Sequence, residues 1–187
     1  MTTQLLVFGI LGLLSTAIAF AWNRRLFTGG TGTGLTAGTP TAGRVSLLEG
    51  LFYLFGLISL GLGWYFNVRY THSAPHSASY VNYTKALFSN WASDSAAQDY
   101  IMVNAVLLPL WTIVDGRRRG MRVPWIFFVM SLFTSLAFSM AFYLAFVERQ
   151  IRYTTSAAAS QSAPAPAPAP APQIQSPGQA PAASSTA

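Results

Sequence analysis

Four runs of mostly apolar residues divide the chain: Leu5 to Trp22, Leu47 to Phe66, Ala96 to Val114 and Trp125 to Val147. Each falls within the roughly 17 to 25 residues that a helix needs to cross a bilayer. The pattern predicts an all-α, polytopic integral membrane protein with four transmembrane helices over residues 1–152. Ala17-Ile-Ala19 imitates a signal-cleavage site, but no positive residue precedes the first run, and Arg24 and Arg25 follow it. An uncleaved anchor is therefore expected.

Between the second and third spans the apolar period changes. Tyr80, Tyr83, Leu87, Phe88 and Trp91 recur at helical spacing, with Asn82, Lys85, Ser89 and Asn90 opposite. This predicts a short helix, lying in the membrane interface or covering the bundle. From Tyr153 onward the chain carries no charge and includes an Ala-Pro repeat from Ala163 to Pro172. Residues 153–187 are read as a disordered tail, extended where proline repeats. The first loop, with Gly30-Thr-Gly-Thr-Gly34, lacks the strand, lysine and acid of a phosphate cradle and reads as a linker.

Charge gives the four spans a direction. Arg24, Arg25, Arg44, Arg117, Arg118, Arg119 and Arg122 fall on one side of a four-crossing chain, and Arg69, Lys85, Arg149 and Arg152 on the other. The positive-inside rule then places the Arg117–Arg122 hairpin in the cytoplasm and both termini outside it. Trp22, Trp111 and Trp125 would mark the cytoplasmic interface, and Trp64, Tyr65, Tyr70, Tyr100 and Tyr143 the outer one.

Composition narrows the chemistry. Of 187 residues, 52% are hydrophobic and only 9% charged, and there is no cysteine. Thiolate catalysis, disulfides and Cys-ligated metals are excluded. The net charge of +6 sits at the ends of apolar runs, without the interleaved basic and aromatic residues of a nucleic-acid binder. His72 and His76 are four apart, but Pro75 between them spoils a helical metal pair. No metal or cofactor is expected.

The small residues Gly9, Gly12, Thr16 and Ala19, then Gly56, Ser59 and Gly63, then Ser131, Ser135 and Ser139, read as packing faces, since helices in lipid associate by close backbone approach. Pro109 predicts a kink in the third span, near the polar Asn104.

Only five acids are present: Glu49, Asp94, Asp99, Asp115 and Glu148. Ser46-Leu-Leu-Glu49 and Ser95-Ala-Ala-Gln98 have capping-box spacing, so Glu49 and Asp99 read as first-turn acids favoured by the helix dipole. Asp115 closes a helix, where that dipole disfavours an anion, and needs a cation from Arg117, Arg118 or Arg119. Asp99 and Asp115 lie about 24 Å apart along one helix and form no dyad. Glu49 and Asp115 would share the cytoplasmic edge if the second and third helices were neighbours, giving one constellation suited to acid chemistry or anion binding. Asn67, Arg69, His72, His76 and Asp99 could gather at the opposite edge.

From about Gly50 to Arg152 the chain resembles the small bacterial membrane proteins grouped as domain of unknown function 2834. The resemblance is carried by Leu87-Phe-Ser-Asn90, Asp99, the Asp115-Gly-Arg-Arg-Arg-Gly-Met121 hairpin, and Phe142-Tyr-Leu144 with Glu148-Arg149. It departs at Asp115, where the family usually has Glu, and at Met140-Ala141, where a Pro-Leu pair is usual. It implies a helical membrane fold and no settled activity.

The expected function is that of a non-catalytic accessory or assembly component of a bacterial plasma membrane, in contact with lipid and with a second copy or another membrane protein. A second reading is a membrane enzyme acting on an isoprenoid or other lipid, with Glu49 or Asp115 as proton donor. In that reading Arg117, Arg118, Arg119 and Arg122 hold an anionic head group. A third is a small transporter subunit using Asp99 or Asn104 in a pathway.

Overall fold

The computed structural model describes residues 2–28, 45–73 and 79–162, and is helical throughout these with no strand among the described residues. The glycine-rich linker, Arg44, His76 and the Ala-Pro repeat lie outside them. Three helices are long and apolar enough to cross a membrane: Thr3–Trp22, Leu47–Ser73 and Trp91–Arg118.

The first is α1 (Thr2–Trp22), followed by a 3₁₀ turn at Arg24–Leu26. The second, α2 (Leu47–Ser73), runs beyond the expected end at Phe66. Its start is the predicted capping box: the Glu49 N–H donates to Ser46 Oγ at 3.1 Å, and the Ser46 N–H to Glu49 Oε2 at 3.4 Å. The amphipathic segment forms α3 (Tyr80–Leu87), capped by Ser79, whose hydroxyl accepts from the Asn82 N–H.

The third span begins earlier than expected. Asn90, not Ser95, caps it, with Oδ1 accepting from the N–H groups of Ala92 and Ser93 at 3.1 Å, because an Asn just ahead of the first turn satisfies two otherwise orphan donors. It comprises α4 (Trp91–Met102), a π-helical turn over Val103–Leu107, and α5 (Leu108–Arg118). Pro109 accounts for the wide turn. It has no N–H to give Ala105, and its ring would press on that carbonyl, so the preceding turn widens and the Leu108 N–H reaches back to Val103 O.

The fourth apolar run departs most from expectation. Instead of one crossing from Trp125 to Val147, it breaks at Thr134-Ser135 into α6 (Ile126–Phe133) and α7 (Leu136–Ser162), which fold back on each other. Phe127 lies with its ring centroid 5.2 Å from Tyr143 and 5.3 Å from Phe146, and its carbonyl accepts from the Ser139 hydroxyl. A straight helix would put Phe127 and Phe146 about 28 Å apart. Ser135 makes the break habitable by capping α7, its Oγ accepting from the Phe138 N–H at 3.1 Å.

The hairpin is the centre of the molecule. α1 packs on α6, α2 on α7, and α5 on both. Ala19, Leu26, Met121, Ile126, Phe127, Met130, Phe138, Phe142, Tyr143 and Phe146 form the core, with no buried apolar side chain from α2. Three small-residue positions act as predicted. A Cβ on Gly12 would stand 2.7 Å from Thr134 Cγ2, one on Gly9 would stand 2.7 Å from the Trp64 ring, and Gly56 lies against Phe142. Ser59 and Ser135 hydroxyls meet at 3.1 Å. Gly63 faces open space among the described residues, so it packs nothing. Gly12 is ten residues before Trp22, so the hairpin tip seated on it stands about 15 Å along α1 from Trp22, half the thickness of a hydrocarbon layer of about 30 Å.

Folding back moves the end of the chain. Arg149 and Arg152 of α7 meet Glu49 at the start of α2, and so stand at the same end as Arg24, Arg25 and the Arg117–Arg122 turn. The expectation that they lie opposite those arginines, with both termini on one side, rested on one straight fourth helix, where the structure has the α6–α7 hairpin. Tyr143 moves with them, from the expected outer belt to the Asp115 end. Residues 153–162, read as tail, continue α7.

Candidate functional site

The arginine turn is built by its sequence. Gly120, at φ +69°, takes the left-handed position that ends α5, which costs glycine little. The Met121 N–H then donates to Gly116 O at 2.8 Å and the Gly120 N–H to Arg117 O at 3.0 Å, satisfying the last carbonyls in a Schellman arrangement. Gly116 is required for a different reason. A Cβ there would lie 2.5 Å from Pro124 Cβ. Met121 drops into the core, 5% exposed.

Asp115 has the cation that its helix end demands. Arg119 Nε donates to Asp115 Oδ2 at 2.7 Å, and the fully buried Tyr143 donates its hydroxyl to the same oxygen at 2.6 Å. The hydrogen bond from Arg119 to Asp115 raises the guanidinium pKa above its ordinary value. Arg117, Arg118 and Arg122 remain exposed.

Asn23 ties this turn to α1. Fully buried, it donates from Nδ2 to Arg122 O and accepts at Oδ1 from the Arg122 N–H, both at 3.0 Å, while Nδ2 also reaches Ala19 O. Beside it, the Arg25 guanidinium donates to Gly120 O. Sequence reasoning missed Asn23. A polar residue after an apolar span reads as a boundary, and only the fold shows it buried.

Glu49 sits in a second network. Its side chain is buried completely, accepting from Arg149 Nε at 2.6 Å and from the Arg152 guanidinium. The Arg149 guanidinium also lies 4.4 Å from the Phe27 ring centroid and donates to Leu26 O. Ser46 joins Glu148 to the group, its hydroxyl 3.3 Å from Glu148 Oε1.

The expected Glu49–Asp115 constellation is divided between two networks: α7 lies against both α2 and α5, offering Arg149 and Arg152 to Glu49 and Tyr143 to Asp115. At the opposite edge Arg69 and His72 line one open groove along α2 with Trp64 and Tyr65, Arg69 donates to Tyr65 one turn back, and Asp99 is exposed and bonded to its neighbour Gln98. Asn104, 8% exposed in the π-helical turn, accepts from the Ser131 hydroxyl at 2.7 Å and thereby ties α6 to the third span. Among the described residues no three His, Asp or Glu side chains lie close enough to hold a metal ion.

Part of this framework, the arginine turn and its partners on α7, lies in the stretch that carries the family relationship. The family model described as protein of unknown function DUF2834 matches residues 51–149, from the second turn of α2 to Arg149. The chain belongs to that family. No curated protein and no solved structure matches it. Within the matched segment lie the arginine turn, Asp115, Tyr143, α6 and α7 as far as Arg149.

Proposed function

We propose that this chain is a non-catalytic accessory or assembly component of a bacterial plasma membrane, acting through its lipid-facing helices and its arginine end. One observation carries the reading. The two acids best suited to chemistry, Glu49 and Asp115, are each neutralised by arginines of the chain and used as helix joints. Neither is left as a poised proton donor facing a cavity. By contrast α2 offers Leu54, Phe55, Leu57, Ile58, Leu62 and Phe66, each about half exposed, to lipid or to a neighbouring membrane helix.

Charge supports an orientation with the arginine end in the cytoplasm. With α7 returned to that end, Arg24, Arg25, Arg117, Arg118, Arg119, Arg122, Arg149 and Arg152 share it, against Arg69 and Lys85 opposite. That asymmetry is stronger than a four-crossing arrangement gives. In this reading the N terminus lies outside the cytoplasm and the end of α7 inside.

Purification of the full chain in mild detergent followed by native mass spectrometry tests the function. A homo-oligomer or a stoichiometric membrane partner is expected. A monomer, together with an altered lipid profile in cells lacking the chain, would instead favour the lipid-modifying enzyme.

A further inference from the structure

Two segments nearly a hundred residues apart in sequence form one basic surface at the arginine end. Asn23 holds the backbone of Arg122 from both sides, and Arg25 holds Gly120 O, so the cap of α1 and the α5–α6 turn move as one body. That joint brings the segment of the exposed Arg24 against the turn that carries the exposed Arg117, Arg118 and Arg122. Like charges held together repel unless an anion joins them.

Asp115 acts on Arg118 through space, but no carboxylate among the described residues pairs directly with these four arginines. Asp115 is the acid of this turn, and it is already occupied by Arg119 and Tyr143. Glu49 and Glu148 are taken by Arg149, Arg152 and Ser46. Arg24, Arg117, Arg118 and Arg122 make no ion pair among the described residues.

The surroundings indicate where the missing anion comes from. Trp22, Trp111 and Trp125, 45%, 56% and 46% exposed, flank the turn on α1, on α5 and ahead of α6. Exposed tryptophans collect at the level of lipid head groups. Guanidinium groups at that level face phosphodiesters, which they bind through paired N–H donors.

We propose that Arg24, Arg117, Arg118 and Arg122 form a binding site for the head group of an anionic phospholipid, with preference for one carrying two phosphates. Arg119 is not part of the site, because Asp115 holds it. Such basic surfaces between transmembrane helices are suited to lipids with more than one phosphate. The site goes beyond the accessory role and does not require a protein partner.

The test uses the full chain in mild detergent, with lipid retention read by native mass spectrometry and thermal unfolding followed as lipid is added. Diphosphatidylglycerol should be retained and raise the melting temperature most, phosphatidylglycerol less, and phosphatidylcholine not at all. The triple variant Arg117→Gln/Arg118→Gln/Arg122→Gln should bind diphosphatidylglycerol roughly a hundredfold more weakly, at about 1 kcal/mol per arginine. Arg69→Gln, at the other end, should bind as the unaltered chain does. If the triple variant does not fold, the unaltered chain decides alone: its affinity for diphosphatidylglycerol must fall steeply with added salt. Equal retention of phosphatidylcholine, salt-independent binding, or full retention by a folded triple variant would overturn the proposal. Free pyrophosphate binding as tightly as the lipid would replace the lipid with a soluble anion and overturn it as well.

Discussion

Glu49 and Arg149, one hundred residues apart in sequence, meet at 2.6 Å with side chains 0% and 5% exposed. This pair fixes the middle of α7 to the beginning of α2, and so fixes the direction in which the last helix runs. Removing one partner leaves the other charged and buried, which costs about 3 to 5 kcal/mol where no substitute exists. Arg152 also reaches Glu49, so Arg149→Met should cost somewhat less, about 2 to 3 kcal/mol. Arg149→Lys should rescue it only in part, because a single ammonium cannot serve Glu49, Leu26 O and the Phe27 ring together. Thermal unfolding in detergent checks both. A melting temperature unchanged in Arg149→Met would show that the pair holds nothing.

Asn23 should prove the most sensitive polar residue of α1's end. Asn23→Ala leaves the Arg122 N–H and carbonyl without their partner, at about 1 to 3 kcal/mol. Asn23→Asp keeps the acceptor for the Arg122 N–H but sets a buried carboxylate oxygen against the Ala19 and Arg122 carbonyls, so it should cost at least as much as alanine. Unfolding of Asn23→Ala in the same detergent at the temperature of the unaltered chain would argue against the two-sided bond.

The two glycines of the arginine turn should fail differently. At Gly116 a methyl group would meet Pro124 Cβ at 2.5 Å, and neither backbone nor ring can yield cheaply, so Gly116→Ala should cost about 1 to 3 kcal/mol. At Gly120 the cost is conformational, about 1 to 2 kcal/mol for a left-handed alanine. Gly63→Ala, with nothing within 4 Å, should leave stability unchanged or slightly raised. A protease-resistance or unfolding series over the three sites reads the order directly.

How much of this was legible beforehand follows from the kind of signal each feature leaves. Helical character, the Ser46–Glu49 cap, the small-residue contacts at Gly9, Gly12 and Gly56, and the ion pair at Asp115 are local or compositional, and the sequence carries them. The break at Thr134-Ser135 was hidden inside an apolar run of spanning length. Two hydroxyl residues are tolerated in a straight membrane helix, so they announce no stop. Folding back rests on Phe127 meeting Phe146 and Arg149 meeting Glu49, contacts that no local pattern encodes. That single difference carries with it the side of Arg149, Arg152 and Tyr143. It also gives Glu49 and Asp115 different partners, arginines of α7 for one and Arg119 with Tyr143 for the other.

The fold-back predicts that the last apolar run enters and leaves the membrane on one side. Because the chain has no cysteine, single substitutions give a clean readout in intact cells. Thr28→Cys marks the arginine end, Ser73→Cys the far end of α2, and Thr155→Cys the last turns of α7, all at exposed positions. With a membrane-impermeant maleimide, Ser73→Cys should label from outside, whereas Thr28→Cys and Thr155→Cys should label together, only after the membrane is opened. Labelling of Thr155→Cys alongside Ser73→Cys, with Thr28→Cys protected, would mean that the last run crosses the bilayer, and would contradict the fold-back.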